Sequence, residues 1–158
     1  MIAVAEENPV DLLFAIGETR PANGAVALML VDGERYLLQR RSLKAGIYFP
    51  GYWGLFGGAA EPGEDLETTL RREIAEELGY TVREVRYFTE TSFDFSYLGC
   101  GTVIRRFYEV ALTSAELARC RLTEGDAFRA FDAAELFREA RIVPYDAFAI
   151  WMHVTRPT

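Results

Sequence analysis

Three glutamates in the middle of the chain have a spacing that could bind a metal ion. Glu73, Glu76 and Glu77 stand at positions i, i+3 and i+4, and at about 100° per residue these positions share one face of a helix. Like charges at this spacing repel one another, and partial burial strengthens the repulsion. A divalent cation would neutralise the cluster, and carboxylate oxygens suit Mg²⁺ or Mn²⁺. The spacing alone equally fits a solvated acidic face, with Arg72–Glu76 as an ordinary ion pair.

The helix that carries these glutamates is predicted over residues 64–78. Acidic residues occupy its first turn, where the helix dipole favours them, and Gly79 ends it. An apolar stripe recurs every four positions and consists of Leu66, Leu70, Ile74 and Leu78. Because the stripe lies on the neighbouring face, we expect the carboxylates to border the core rather than point fully into water.

A glycine-rich loop leads directly into this helix. Gly57, Gly58 and Gly63 flank the loop, and glycine permits a tight turn and a close backbone approach to a ligand. A backbone carbonyl from the loop could join the carboxylates as a metal ligand. The positive end of the helix dipole lies beside the same place and favours phosphate. Loop and helix together therefore predict a site for a metal ion and a phosphate group.

Residues 58–80 resemble the Nudix box. The matching residues, at the intervals typical of that family, are Gly58, Glu64, Arg72, Glu73, Ile74, Glu76, Glu77 and Gly79. Two positions depart from the pattern. Tyr80 stands where the family has an aliphatic residue, and Phe56 precedes the two glycines where many members have proline. We expect the first change to alter only packing and the second to reshape the pocket while leaving the metal site intact.

The resemblance extends loosely over residues 20–155 and implies both a fold and an activity. The implied fold is an α/β/α sandwich, with a mixed β-sheet between helices. The implied activity is Mg²⁺-dependent hydrolysis, with Mn²⁺ as a possible substitute, of the pyrophosphate bond in a nucleoside diphosphate linked to another moiety. By position, the implied metal ligands are Gly57 through its carbonyl, Glu73, Glu76 and Glu77, while Arg72 and Glu64 form a supporting pair.

Candidates for the general base and for phosphate contacts lie both inside and outside the motif. The general base could be Glu76, or Glu124 in a loop before a predicted strand, although turns favour acidic residues in any case. Arg40, Arg41 and Lys44 follow a predicted hairpin and could contact phosphates, or they could form a solvated basic loop. The substrate itself is not specified by the motif, and nucleoside triphosphates, nucleotide sugars and ADP-ribose all fit it.

The remaining elements follow from hydrophobic patterning. Asp32-Gly33 predicts a hairpin turn. We expect strands at 25–31, 35–39, 53–56, 81–97, 102–112 and 127–131, a loop at 42–52, and helices at 8–16, 132–140 and 144–154. Phe93, Phe95 and Tyr97 alternate along one of these strands, which favours a place in the core over a base-stacking platform. Helices that cover a mixed sheet place the chain in the α/β or α+β class.

Length and charge limit the function classes. The 158 residues suffice for one domain, and we expect a single domain over 1–158 with 1–20 as a short extension. A formal charge of −7 should repel nucleic acid and anionic membranes, so a small nucleotide is the expected partner. The longest apolar run, residues 25–31, is far short of the ~20 residues of a membrane span. Together with two cysteines and no signal peptide pattern, this predicts a cytoplasmic protein, and exposed strand edges make a homodimer plausible.

Two other functions fit the same fold. One is a ligand-binding sensor or regulatory domain, against which the complete glutamate set and the lack of a basic patch argue. The other is an isomerase acting on a diphosphate substrate, which the lack of a cysteine near the glutamates disfavours. Phosphate release from a nucleotide panel, with and without Mg²⁺, separates these alternatives.

Overall fold

The computed structural model describes residues 22–99, 101–138 and 141–157. The helix expected at 8–16 lies outside these ranges. The described strands are β1 Gly24–Val31, β2 Arg35–Arg40, β3 Trp53–Gly54, β4 Phe56–Ala59, β5 Arg86–Asp94, β6 Thr102–Leu112 and β7 Ala127–Phe131. The described helices are α1 Leu66–Leu78, α2 Ser114–Leu117, α3 Ala133–Leu136 and α4 Pro144–Thr155, with a 3₁₀ turn at Ser96–Leu98. None of these helices has both the length and the hydropathy needed to cross a membrane.

The strands form one mixed sheet in the order β3-β2-β1-β6-β5, with β4 added beside β1 and β7 beside β2. β1 runs parallel to β6 and antiparallel to β2 and β4. β1 is therefore central, and its residues alternate between two buried faces. Ala25 and Ala27 pack with the core that includes α1, whereas Val26 and Leu28 pack with the core that includes α4. Burial on both faces explains why this strand is apolar throughout.

Helices α1 and α4 cover opposite faces of the sheet, so the expected α/β/α sandwich is confirmed. From α1, Leu70, Ile74 and Leu78 are fully buried, as the apolar stripe predicts. Helix α4 is fixed to the sheet by His153, whose Nδ1 lies 2.6 Å from the Tyr36 hydroxyl. The same residue places Nε2 2.9 Å from Glu109 on β6, and this pairing holds the last turn of α4 in place over the sheet.

The hairpin between β1 and β2 is confirmed, and its Asp-Gly turn has positive φ at both Asp32 (51°) and Gly33 (76°). Both values are typical of a type I′ turn. The expected strand at 53–56 is instead two strands, β3 and β4, separated at Leu55. The break arises because the Leu55 N–H donates to the side chain of Asp146 at 2.9 Å rather than to a neighbouring strand.

Three expected elements differ from the structure in their bounds. Helix α1 begins at Leu66 because the Asp65 side chain caps it, accepting from the N–H groups of Glu67 and Thr68. Strand β5 covers only part of 81–97 and ends at Asp94, whose side chain accepts from the Ser96 N–H. Helix α3 is short, and residues 139–140 of the expected 132–140 are outside the described ranges.

The expectation that three alternating aromatic residues share a strand and the core is wrong in part. Phe93 lies in β5, Phe95 lies beyond its end and is buried, and Tyr97 lies in the 3₁₀ turn with 79% of its surface exposed. The strand ends before the alternation does, so Tyr97 is turned into solvent.

Candidate functional site

Glu77 is the most enclosed acidic side chain on α1. It is 7% exposed, and both carboxyl oxygens accept hydrogen bonds. Oε1 accepts from Gln39 Nε2 at 3.1 Å, and Oε2 accepts from the Gly57 N–H at 3.2 Å. Burial raises the pKa of Glu77 to about 7, and the charges of Glu73 and Glu124 act in the same direction. The structure therefore holds a poorly solvated carboxyl group in a fixed orientation beside other acids.

The two glycines before α1 are required by close contacts. Gly57 has φ of 137°, and a Cβ there would lie 2.1 Å from the Ala25 carbonyl oxygen on β1. A Cβ on Gly58 would lie 2.5 Å from the Glu73 carboxyl carbon. The loop can pass between β1 and α1, and Glu73 can occupy its place, only because these side chains are absent.

Arg72 joins the helix to the preceding loop. Its Nε and Nη2 donate to the two carboxyl oxygens of Glu64 at 2.9 and 3.0 Å, and Nη2 also donates to the Ala59 carbonyl at 3.2 Å. Hydrogen bonds from Arg72 lower the pKa of Glu64 to about 2. Arg72 Nη1 lies 2.7 Å from Glu73 Oε1 and 3.3 Å from Glu76 Oε2. One guanidinium thus anchors the loop and supplies positive charge to two of the three glutamates.

The three glutamates differ in exposure although they share one helix face. The Glu73 side chain is 19% exposed and the Glu76 side chain 61%, while Glu77 is buried. In the described ranges, no three His, Cys, Asp or Glu side chains already converge as a metal site, and Arg72 is paired with Glu73 and Glu76. The donor set nevertheless fits a hard divalent cation, which takes carboxylate and carbonyl oxygens as ligands.

A cleft with a volume of about 450 Å³ opens above Glu77. Its lining residues are Gln39, Arg41, Ser42, Lys44, Ile47, Glu77, Thr123, Glu124, Gly125 and Asp126. The structure therefore brings Glu124, Arg41 and Lys44 together with Glu77. The loop that carries Glu124 is attached to α1, because the Thr123 N–H donates to the Glu77 carbonyl at 2.9 Å.

Arg40 takes a different position from Arg41. Its side chain is exposed, and its backbone carbonyl accepts from the Asp126 N–H at 2.9 Å. It is not among the residues that line the cleft. Since side chains alternate along a strand, Arg40 points away from the face that carries Gln39.

Two polar residues of the site were not found from the sequence. Gln39 donates to Glu77, and Asp126 lines the same cleft as Arg41. Alternation along β2 could have revealed Gln39, because it follows Leu37 on the inward face of a buried strand. Asp126 has no comparable signal, since an acidic residue in a turn is common.

The fold and this loop-and-helix arrangement define a class of protein. The family model described as the NUDIX domain matches residues 20–155 of the chain. The chain belongs to the NUDIX domain family, and the assignment made from residues 58–80 is confirmed.

Similar curated proteins include the nucleoside triphosphatase NudI of Enterobacter sp. (strain 638) and that of Escherichia coli O1:K1 / APEC. Each is 57% identical over 54 residues, which are 34% of this chain. The matched segment spans only 38% of the length of either relative, so the likeness is strong but local.

Similar solved structures cover most of the chain. The MutT NUDIX hydrolase from Burkholderia pseudomallei has a TM-score of 0.70 and 24% identity, covering 84% of this chain and 98% of its own. The NUDIX domain of Shewanella oneidensis NrtR, complexed with ADP ribose, has a TM-score of 0.65 and 16% identity, covering 94% of this chain and 100% of its own. At these identities the comparison establishes the fold.

Proposed function

We propose that the protein is a metal-dependent hydrolase of the pyrophosphate bond in small nucleotides. The observation that carries the proposal is the buried carboxyl of Glu77, held by Gly57 and Gln39 at the floor of a cleft with Arg41 and Lys44 in its lining. Family membership supports it, and the curated relatives named above are nucleoside triphosphatases.

The proposed metal ligands are the carboxylates of Glu73, Glu76 and Glu77 together with the carbonyl of Gly57. A bound Mg²⁺ or Mn²⁺ supplies charge neutralisation for the pyrophosphate and activation of the attacking water. Glu73 and Glu76 would hold the cation in place of their contact with Arg72, and the Arg72–Glu64 pair would keep the loop on the helix. The acidic chain can then accept a polyanion.

Phosphate oxygens are bound by Arg41 and Lys44 in this proposal, rather than by Arg40. Both side chains line the cleft that contains Glu77, whereas Arg40 is exposed outside that lining. Arginine forms paired hydrogen bonds with phosphate, and lysine contributes a point charge. An Arg41→Ala variant should therefore raise KM for a nucleoside triphosphate by about tenfold, more than Arg40→Ala does.

The general base in this proposal is Glu124. It lies in the cleft with Glu77 and is carried by a loop that is hydrogen-bonded to α1. Glu76, the other candidate, is largely exposed and paired with Arg72. A carboxylate placed at the cleft can accept a proton from water as the water attacks phosphorus.

A second candidate function is ligand binding without turnover. The observation that favours it is the likeness over 94% of this chain to a NUDIX domain complexed with ADP ribose. This alternative predicts that the protein binds ADP-ribose or a similar nucleotide and releases no product. The retained glutamates Glu73, Glu76 and Glu77 favour hydrolysis over this alternative.

The formal charge of −7 also supports a small nucleotide as partner, rather than nucleic acid or an anionic membrane. We place the protein in the cytoplasm, where such nucleotides occur. A homodimer through the outer strand β5, which ends the strand order of the described sheet, stays a prediction for solution scattering to test.

A substrate screen tests the proposed function. The protein is incubated with nucleoside triphosphates, nucleotide sugars and ADP-ribose, with Mg²⁺ or with a chelator, and products are identified by mass spectrometry. We expect cleavage at a pyrophosphate bond that the chelator abolishes and that Glu77→Gln strongly reduces. Binding without product for every compound would instead support the ligand-binding alternative.

A further inference from the structure

Gln39 places a buried amide at the end of a strand whose interior is apolar. The residue is 6% exposed, and its side chain lies on the same face of β2 as Leu37, towards α1. Burying an amide is costly unless it is hydrogen-bonded, and Gln39 Nε2 donates to Glu77 Oε1 at 3.1 Å. The strand is held on both sides at this point, because Gln39 pairs with Gly54 on β3 and with Phe128 on β7. A firmly held strand therefore presents this amide to α1.

The two oxygens of the Glu77 carboxylate accept hydrogen bonds from different strands. Oε1 accepts from Gln39 on β2, and Oε2 accepts from the Gly57 N–H on β4. The last torsion of a glutamate side chain is broad in energy, so a carboxylate with a single donor can still rotate about it, whereas two donors restrict that rotation. Hydrogen bonds of this kind commonly orient carboxylates that bind metal ions. Gln39 therefore helps to set the direction in which the Glu77 carboxylate points.

The amide of Gln39 is neutral, unlike the group that contacts the other two glutamates. Arg72 contacts Glu73 and Glu76 with a positive charge. A cationic donor beside Glu77 would neutralise the carboxylate as well as orient it, and an acidic side chain would repel it. An amide orients the carboxylate and leaves its charge available. Glutamine at this position therefore suits a carboxylate that is held in place and still has to bind a cation.

The Gln39 amide also lies against the loop that carries Glu124. A Cβ on Gly125 would lie 3.0 Å from Gln39 Oε1 and 2.8 Å from the Arg40 carbonyl oxygen, and Gly125 has φ of 80°. Glycine thus permits a close approach of the loop to the end of β2. The amide oxygen of Gln39 faces this loop, while the amide nitrogen faces Glu77.

The same loop is attached to the end of α1. The Thr123 N–H donates to the Glu77 carbonyl at 2.9 Å, and the Arg121 N–H donates to the Leu78 carbonyl at 3.0 Å. Gln39, Glu77 and Glu124 all line one cleft. Strand, helix and loop therefore meet at the Gln39 side chain, which contacts Glu77 and separates it from the backbone of the loop.

We propose that Gln39 is a positioning residue, which directs the Glu77 carboxylate towards the metal ion and sets the distance between Glu77 and the loop of Glu124. The proposal rests on the proposed function, because it concerns the same metal site and the same general base. It gives β2 a part in the reaction, although β2 lies outside the glycine-rich loop and the helix that carry the glutamates.

Calorimetric titration of the full chain with Mn²⁺, in the absence of substrate, tests this proposal apart from turnover. Gln39→Met keeps the length of the side chain and removes the donor. We expect Mn²⁺ binding about tenfold weaker than in the wild type, since changing a residue that orients a metal ligand costs roughly 10- to 100-fold in affinity or activity. The matched control is Leu37→Met on the same face of β2, a volume-conserving change that should leave the Mn²⁺ affinity unchanged.

Steady-state kinetics on a double-mutant cycle separate positioning from packing. Gln39→Met should lower kcat about tenfold and leave KM unchanged, because the phosphate contacts of Arg41 and Lys44 remain. In the Glu77→Gln background the carboxylate that Gln39 orients is absent, so adding Gln39→Met should lower kcat far less than it does in the wild type. A role in packing alone would give the same loss in both backgrounds.

The outcomes distinguish this proposal from the proposed function. Equal Mn²⁺ affinity of Gln39→Met and the wild type, or an equal loss of kcat in both backgrounds, would overturn the positioning role alone. Weaker Mn²⁺ binding by Gln39→Met, together with no hydrolysis by the wild type in the mass spectrometric screen, would overturn the proposed function alone. A wild type that binds no Mn²⁺ would overturn both.

Discussion

Two buried carboxyl groups, Glu77 on α1 and Asp146 on α4, reach the same short stretch of backbone from opposite faces of the sheet. Each accepts a hydrogen bond from a backbone N–H, at Gly57 and Leu55 respectively. Burial raises the pKa of each to about 7. Their neighbours differ, because Glu77 lies near other acids whereas Asp146 lies near arginines and aromatic rings.

The difference shows that two carboxyl groups that are buried alike can have opposite electrostatic surroundings. Acids that surround an acid raise its pKa and are relieved by a cation. Arginines near an acid oppose that rise and favour its ionised form. The short stretch from Leu55 to Gly57 is therefore held by two buried carboxyl groups with unlike surroundings.

The largest expected effect concerns the backbone between the two sites. Gly57→Ala should destabilise the protein by about 3 kcal/mol, because its Cβ meets the β1 backbone and its φ is unfavourable for alanine. Gly54→Ala, on the Asp146 side, places its Cβ 3.2 Å from Asp146 and Val143 and should cost much less. Urea unfolding of both variants measures the contrast. Equal destabilisation by the two variants would contradict this prediction, since it would mean that the backbone is packed equally tightly at Gly54 and Gly57.

The second effect is on turnover, which should depend on Glu77. Glu77→Gln should reduce turnover at least about 100-fold, because loss of one ligand charge weakens the metal site. The fold should persist, since glutamine keeps the length and an acceptor oxygen. Steady-state kinetics at saturating Mg²⁺ measure the loss. The control is Thr91→Val on β5, because Thr91 Oγ1 is buried without a hydrogen-bond partner among the described residues and lies off α1. Near-wild-type turnover would remove Glu77 from the metal site.

The third effect is the part of the pH dependence of stability that Asp146 contributes. Its pKa is raised from 3.8 to about 7 in the folded protein, so between these values the native state binds more protons than the unfolded chain. The contribution of Asp146 to stability should therefore fall as pH rises, by about 2–3 kcal/mol between pH 5 and pH 8, beside a similar fall from Glu77. Asp146→Asn should lack this part of the decline. Urea unfolding at both pH values measures the difference, and parallel declines in the two proteins would contradict it.

Much of the α1 side could be predicted from the sequence, because its signals are local. The spacing of Glu73, Glu76 and Glu77, the glycines and the apolar stripe all lie within one short segment. The pair Arg72–Glu64 follows from the family pattern, and the structure brings its members together at 2.9 Å. Local patterning also places the β1–β2 hairpin correctly.

The contacts of Asp146 on α4 could not be predicted in the same way, because they join residues that are far apart in the sequence. Asp146 near the start of a helix is indistinguishable in sequence from an acid that favours the helix dipole. Its bond to Leu55 joins residues 91 positions apart, and that bond also splits the expected strand at 53–56. The end of β5 before Phe95 likewise depends on a side chain, that of Asp94, turning back onto the backbone.

Thermal unfolding across a metal series tests most directly whether the acidic face of α1 binds a divalent cation. Mg²⁺ or Mn²⁺ at about ten to one hundred times Kd should stabilise the wild type by roughly 1–3 kcal/mol, which is a rise in Tm of several degrees. The rise should vanish in the double variant Glu73→Ala, Glu76→Ala and persist in Thr91→Val. An equal rise in the double variant would place the metal elsewhere and leave this helix face as a solvated acidic surface.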